Sequence, residues 1–155
     1  MPRLLVVHHT PSPHLHTLLE AVRAGASTPE VDGVEVEVRA ALAATAVDVL
    51  EADGYVLGCP ANLGYLAGAM KHFFDTVYYP CLEDTPGRPF AAYLHGNDDT
   101  SGARLALHKI TTGLRWRPVA EILEVRGAPS AEDRDAAWNL GAVVAATLAD
   151  LDAQP

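Results

Sequence analysis

Three strand-length stretches are apolar almost without a break: Leu4 to His9, "GYVLGCP" (Gly54 to Pro60) and "PFAAYLHG" (Pro89 to Gly96). A strand with one wet face alternates apolar and polar residues. A strand that is apolar at every position is covered on both faces, which is the habit of parallel sheets flanked by helices. Helical spacing fills the intervals. Leu15, Leu18, Leu19 and Val22 form one stripe, and Leu66, Met70, Phe73 and Val77 a second that runs roughly to Pro80. Ala103, Leu107, Ile110 and Leu114 form a third. Val34, Val36 and Val38 alternate with Glu35, Glu37 and Arg39, a half-buried strand suited to a sheet edge. Thr45 with Asp48, and Ser130 with Asp133, stand at capping-box spacing before a short helix and a long terminal one; the latter's stripe includes Leu140, Val144, Leu148 and Leu151. Val119 to Val125 supplies a last strand, and Pro60 is expected to end the strand before it.

The pattern is strand then helix, five times over. It predicts one α/β domain over residues 1–155, a three-layer sandwich around a five-stranded parallel sheet of order 2-1-3-4-5. In such sheets a ligand sits beyond the carboxyl ends of the strands, at the point where the strand order reverses. That rule selects three loops: Thr10 to His14, Pro60 to Tyr65 and His95 to Ser101.

Charge narrows the partners. The formal net charge is -9, which argues against broad binding to nucleic acid. A small phosphorylated ligand stays open, because backbone N–H groups can hold phosphate without a basic side chain. No run is long enough to span a bilayer and no secretory signal precedes Arg3, so a cytoplasmic location is the expectation. Cys59 and Cys81 have neither zinc-finger nor redox spacing and read as reduced thiols.

The first loop, "TPSPH", joins a buried strand to a helix N-terminus, and Thr10, Ser12 and Thr17 add hydroxyls. It suits a phosphate monoester, and equally a plain strand-to-helix turn capped by Ser12. A metal site is disfavoured. His8 and His9 point to opposite faces of a strand, and His14 and His16 diverge on a helix. In the second loop Tyr65 can stack on a flat ligand or pack against the protein.

The segments "LLVVHHTPSPHLHTLLEAV" and "ADGYVLGCPANLGYLAGAMKHFFD" resemble the flavodoxin-like FMN proteins, especially their NAD(P)H-dependent FMN and quinone reductase branch. The most specific part is G-x-P-x-N-x-G-x-x-x-G-x-x-K-x-F-x-D, Gly58 to Asp75. The resemblance implies a flavodoxin-like fold and FMN as cofactor, with Thr10, Pro11, Ser12, His14, Leu15 and His16 at its phosphate. Pro60, Ala61, Asn62 and Leu63 would contact the flavin ring, with His95, Gly96 and Asn97 on its other side. Pro13 stands where flavodoxins place glycine and removes one N–H from the phosphate loop. Leu15 replaces the threonine of the electron carriers, and the short third loop lacks a Phe, Tyr or Trp. An open flavin face is therefore expected, suited to hydride exchange.

The expected function is transfer of electrons from NAD(P)H through FMN to a quinone or similar acceptor, with a homodimer as a possible assembly. The alternatives are a flavodoxin-type electron carrier and a flavodoxin-like module that has lost FMN. Cys59, beside the expected site, has no basic neighbour in sequence and reads as inert.

Overall fold

A computed structural model describes residues 1–155. In chain order its elements are β1 (Arg3–His8), α1 (Pro13–Ala26), β2 (Glu35–Ala40), α2 (Ala46–Glu51), β3 (Gly54–Asn62) and β4 (Tyr65–Leu66). There follow α3 (Gly68–Cys81), β5 (Pro89–Gly96), α4 (Ser101–Gly113), β6 (Arg117–Pro118), β7 (Leu123–Arg126) and α5 (Ala131–Asp152). The sheet runs β2-β1-β3-β5, and both β6 and β7 lie in parallel along the outer side of β5. Counting β6 and β7 as one interrupted strand gives the expected order. Only the two-residue β4 is antiparallel, folded back on the end of β3.

The apolar runs are buried as their composition requires. All eight residues of β5 and the first seven of β3 are buried, whereas β2 at the edge is half exposed. Alternate residues of each strand feed two separate cores. Leu5, Val7, Tyr55 and Leu57 join Phe73, Phe74 and Trp116 on the α2–α4 side. Leu4, Val6, Val56 and Tyr93 join Leu18, Val22 and Val144 under α1 and α5. Helices α1 and α5 cross closely because Gly25 and Gly141 bring no side chain. A Cβ on Gly25 would lie 1.9 Å from the Trp138 carbonyl oxygen, and one on Gly141 2.1 Å from that of Val22.

Capping chemistry sets the helix starts. Thr45 and Ser130 each close a full capping box with Asp48 and Asp133, and Ser12 Oγ accepts the Leu15 N–H at 3.3 Å.

Three boundaries differ from expectation. Pro60 does not end its strand; β3 continues to Asn62. The Gly58 carbonyl accepts the His9 N–H, so that residue faces β1, and so by alternation does Pro60. Because β1 ends at His8, the missing Pro60 N–H costs the sheet no ladder bond. Leu66, expected on the third helical stripe, belongs to β4, and α3 begins two residues later. The last strand is split: after the Val119 N–H pairs with the Phe90 carbonyl, residues 120–122 leave the ladder before β7.

Candidate functional site

The loops after β1, β3 and β5 meet at the carboxyl end of the sheet. The first carries unpaired backbone donors: the N–H groups of Thr10, Ser12 and His14 make no hydrogen bond within the protein. They stand at the N-terminus of α1, where the helix dipole adds partial positive charge, an arrangement whose chemistry suits an anion. Thr10 Oγ1 lies 2.7 Å from His8 Nδ1. Burial, followed by His9 and Arg23, lowers the His8 pKa and favours the neutral ring.

The second loop is a hairpin. Asn62 pairs with Tyr65 across a two-residue turn of Leu63 and Gly64, both left-handed at φ 52° and 79°. That is the backbone of a type I′ turn, which suits Gly64 and strains Leu63. Leu63 is 96% exposed. The turn rests on the start of α4, where a Cβ on Gly102 would fall 2.0 Å from the Gly64 carbonyl oxygen. Tyr65 stands beside Gly102 and is 73% exposed, so it is not packed into the core.

The third loop runs from Gly96 to Thr100. His95, at the end of β5, is buried, and its Nε2–H donates to the Gly127 carbonyl at 2.9 Å. Its ring lies 5.4 Å from that of His14, centroid to centroid. Asp99 accepts the Ser101 N–H and hydroxyl, both at 2.9 Å, and these bonds lower its pKa.

Two adjoining clefts occupy this surface. One, of about 170 Å³, lies between Pro11, Ser12 and Leu15 of the first loop, Pro60, Ala61 and Asn62 of the hairpin, and His95, Gly96 and Asn97. The other, of about 380 Å³, shares Ala61, Asn62 and Asn97 and extends past Leu63 and Gly64 to Asp98 and Asp99. Cys59 lies beneath, 1% exposed, its thiol pushed up to about 12 by burial. No group of three or more His, Cys, Asp or Glu side chains is placed to hold a metal ion.

No family model matches the chain. A flavodoxin from Aquifex aeolicus (strain VF5) is 32% identical over 114 residues, 74% of this chain and 60% of that protein. The chain thus spans about three-fifths of the length of that relative. Among solved structures, a flavodoxin from the domain Archaea superposes with a TM-score of 0.79 at 18% identity, covering 94% of this chain and 98% of that one. The two-electron reduced flavodoxin of Megasphaera elsdenii gives 0.73 at 17%, covering 92% and 98%. The flavodiiron core of Flv1 from Synechocystis sp. PCC6803 gives 0.78 at 14%, covering 97% of this chain and 36% of that one. The fold is flavodoxin-like.

On this flavodoxin-like frame, most of the residues singled out from sequence line the smaller cleft, and Leu63 lines the larger. Thr10 lines neither cleft but keeps its N–H free, and His14 stands against His95. His16 is exposed and lines neither cleft. Sequence reasoning passed over Asp98, Asp99 and Gly127. The first two line the larger cleft, and the third fixes His95 through its carbonyl. Only the position of Asp98 and Asp99 within the third loop could have signalled them. No helix is long and apolar enough to cross a membrane.

Proposed function

We propose that the chain binds FMN non-covalently and serves as an electron carrier of the flavodoxin type. The observation that carries this reading is the set of unpaired N–H groups on Thr10, Ser12 and His14, bordering a cleft that the hairpin and third loop complete. Those donors fit a phosphate monoester, with Ser12 holding the helix start in place. The two clefts together fall within the size range of cofactor sites. Pro60, Ala61 and Asn62 would border one side of the ring and Asn97 the other, with Leu63 and Tyr65 at the rim. Bound FMN supplies the redox chemistry; the protein supplies orientation and electrostatics. The flavodoxin relatives favour the carrier over the NAD(P)H–quinone reductase.

One feature keeps the reductase as a second reading: the third loop offers no Phe, Tyr or Trp, and so leaves a face open to a nicotinamide or quinone. Titration of the purified protein with FMN, followed by flavin fluorescence, tests the common core of both. Saturable quenching at one FMN per chain is expected, and its absence overturns both. With FMN bound, the carrier predicts no NAD(P)H oxidation in the presence of a quinone, and turnover would select the reductase.

A further inference from the structure

Two departures in the phosphate-facing loop stand side by side. Pro13 opens α1 at a position where any other residue would bring an N–H, so the anion site has one donor fewer. Next to it are two imidazoles whose rings approach to 5.4 Å, His14 from α1 and His95 from β5. His95 is 94% buried, lines the smaller cleft, and is locked by the bond from Nε2–H to Gly127. That bond fixes the tautomer. In the neutral ring Nδ1 is an acceptor, and it becomes a donor only when protonated. Nδ1 makes no hydrogen bond within the protein.

We infer that His14 and His95 recognise the phosphate monoester as a protonatable pair, replacing the donor lost at Pro13, and so set a pH-dependent preference for FMN over riboflavin. The inference rests on the FMN reading for its natural ligand, but the pair's response to phosphate can be tested without it. An imidazolium beside a phosphate is stabilised, so binding raises the imidazole pKa, and affinity is greatest where the ring is charged. The sign separates this from a site of backbone donors alone. FMN's phosphate gains its second charge near about pH 6, so backbone donors bind it equally or better as pH rises. The pair predicts the opposite trend over the range in which an imidazole gives up its proton.

Other charged or titratable groups on the surrounding elements are His8 and His9 at the end of β1, His16 on α1, Tyr93 on β5, and Asp98 and Asp99 on the third loop. Further such groups are Glu20 and Arg23 on α1, Cys59 on β3, Glu124 and Arg126 on β7, and Glu132 and Asp133 on α5. Among these side-chain types, imidazole is the one whose ordinary range falls between about pH 6 and 8.

The first measurement is NMR of the full chain, following each imidazole across that range with and without inorganic phosphate. A rise in the His14 and His95 pKa values on adding phosphate is expected. Titrations that phosphate does not move overturn the inference, whether or not flavin binds. The second is the ratio of riboflavin to FMN dissociation constants. It is expected to fall about tenfold from about pH 6 to about pH 8 in the native chain, the scale of a one-unit shift in one imidazole, and to fall clearly less in His14→Gln, which leaves His95 alone. His14 is only half-buried, so that variant avoids the folding risk of His95→Gln. A ratio flat or rising with pH in the native chain, or a slope unchanged in His14→Gln, overturns it. Failure of both flavins to bind would sink the FMN reading and leave the NMR result to decide the pair.

Discussion

At the amino end of the sheet, the Arg3 guanidinium lies 3.1 Å from Glu51, 3.4 Å from Glu35 and 3.9 Å from Glu37, while Asp53 accepts the Arg3 N–H. Nearby, Arg88 Nη1 sits 2.8–3.1 Å from the carbonyls of Val49, Leu50 and Ala52, the last turn of α2 and its cap. Tyr55, on β3, closes that group by donating to Val49 at 2.6 Å. At the carboxyl end, by contrast, Thr10, Ser12 and His14 keep their N–H groups unpaired. The larger hollow is at the wrong end for its size to be the guide. About 580 Å³ opens between Met1, Asp53, Arg88 and Leu151, where Asp53 and Arg88 already have partners. The candidate site is marked here by donors without partners rather than by volume.

The sharpest way to break that contrast is Arg88→Leu. It leaves the α2 carbonyls unpaired and should lower stability by about 3 kcal/mol in urea unfolding, with little change in FMN affinity. A loss of binding as large as the loss of stability would mean the two ends are not separable. Ser12→Ala should behave conversely. Loss of the cap costs about 1 kcal/mol of stability, while FMN affinity falls about tenfold, some 1.4 kcal/mol, by fluorescence titration. Tyr93→Phe is expected to stabilise the fold by about 1 kcal/mol. The Tyr93 hydroxyl is buried with no hydrogen-bond partner, and burial drives its pKa upward. A destabilised variant in thermal melts would show that the hydroxyl is hydrogen-bonded in the folded chain.

The smallest effect is on pH. His8 has a lowered folded-state pKa, so the unfolded chain binds its proton more readily. Its contribution is therefore present above the unfolded value of about 6.5 and lost as pH falls toward the folded one. Urea midpoints should drop over that interval and do so less in His8→Gln.

How far the sequence revealed this depended on whether the cause was local. Unbroken apolar runs identified β3 and β5 as interior strands, and valine–glutamate alternation identified β2 as an edge. Thr45–Asp48 and Ser130–Asp133 carried their own helix starts. Pro60 misled because a strand's tolerance of proline depends on where its neighbour stops, which is a property of β1. The hairpin was hidden because Leu63–Gly64 is not the Asn–Gly or Asp–Gly pair that a type I′ turn favours. The meeting of His14 with His95 comes from packing α1 against the end of β5, and no spacing of residues announces it.

The interruption of the last strand has a bearing on how this chain behaves in crowded solution. An uninterrupted outer strand would present a row of free N–H and C=O groups on which another molecule could lay down a further strand. Here Pro118 lacks an N–H, and residues 120–122 step out of line before the ladder resumes at Leu123. The opposite margin, β2, bears Glu35, Glu37 and Arg39. Neither margin gives an incoming strand a long, flat, apolar template, so sheet extension into fibres is opposed on both sides.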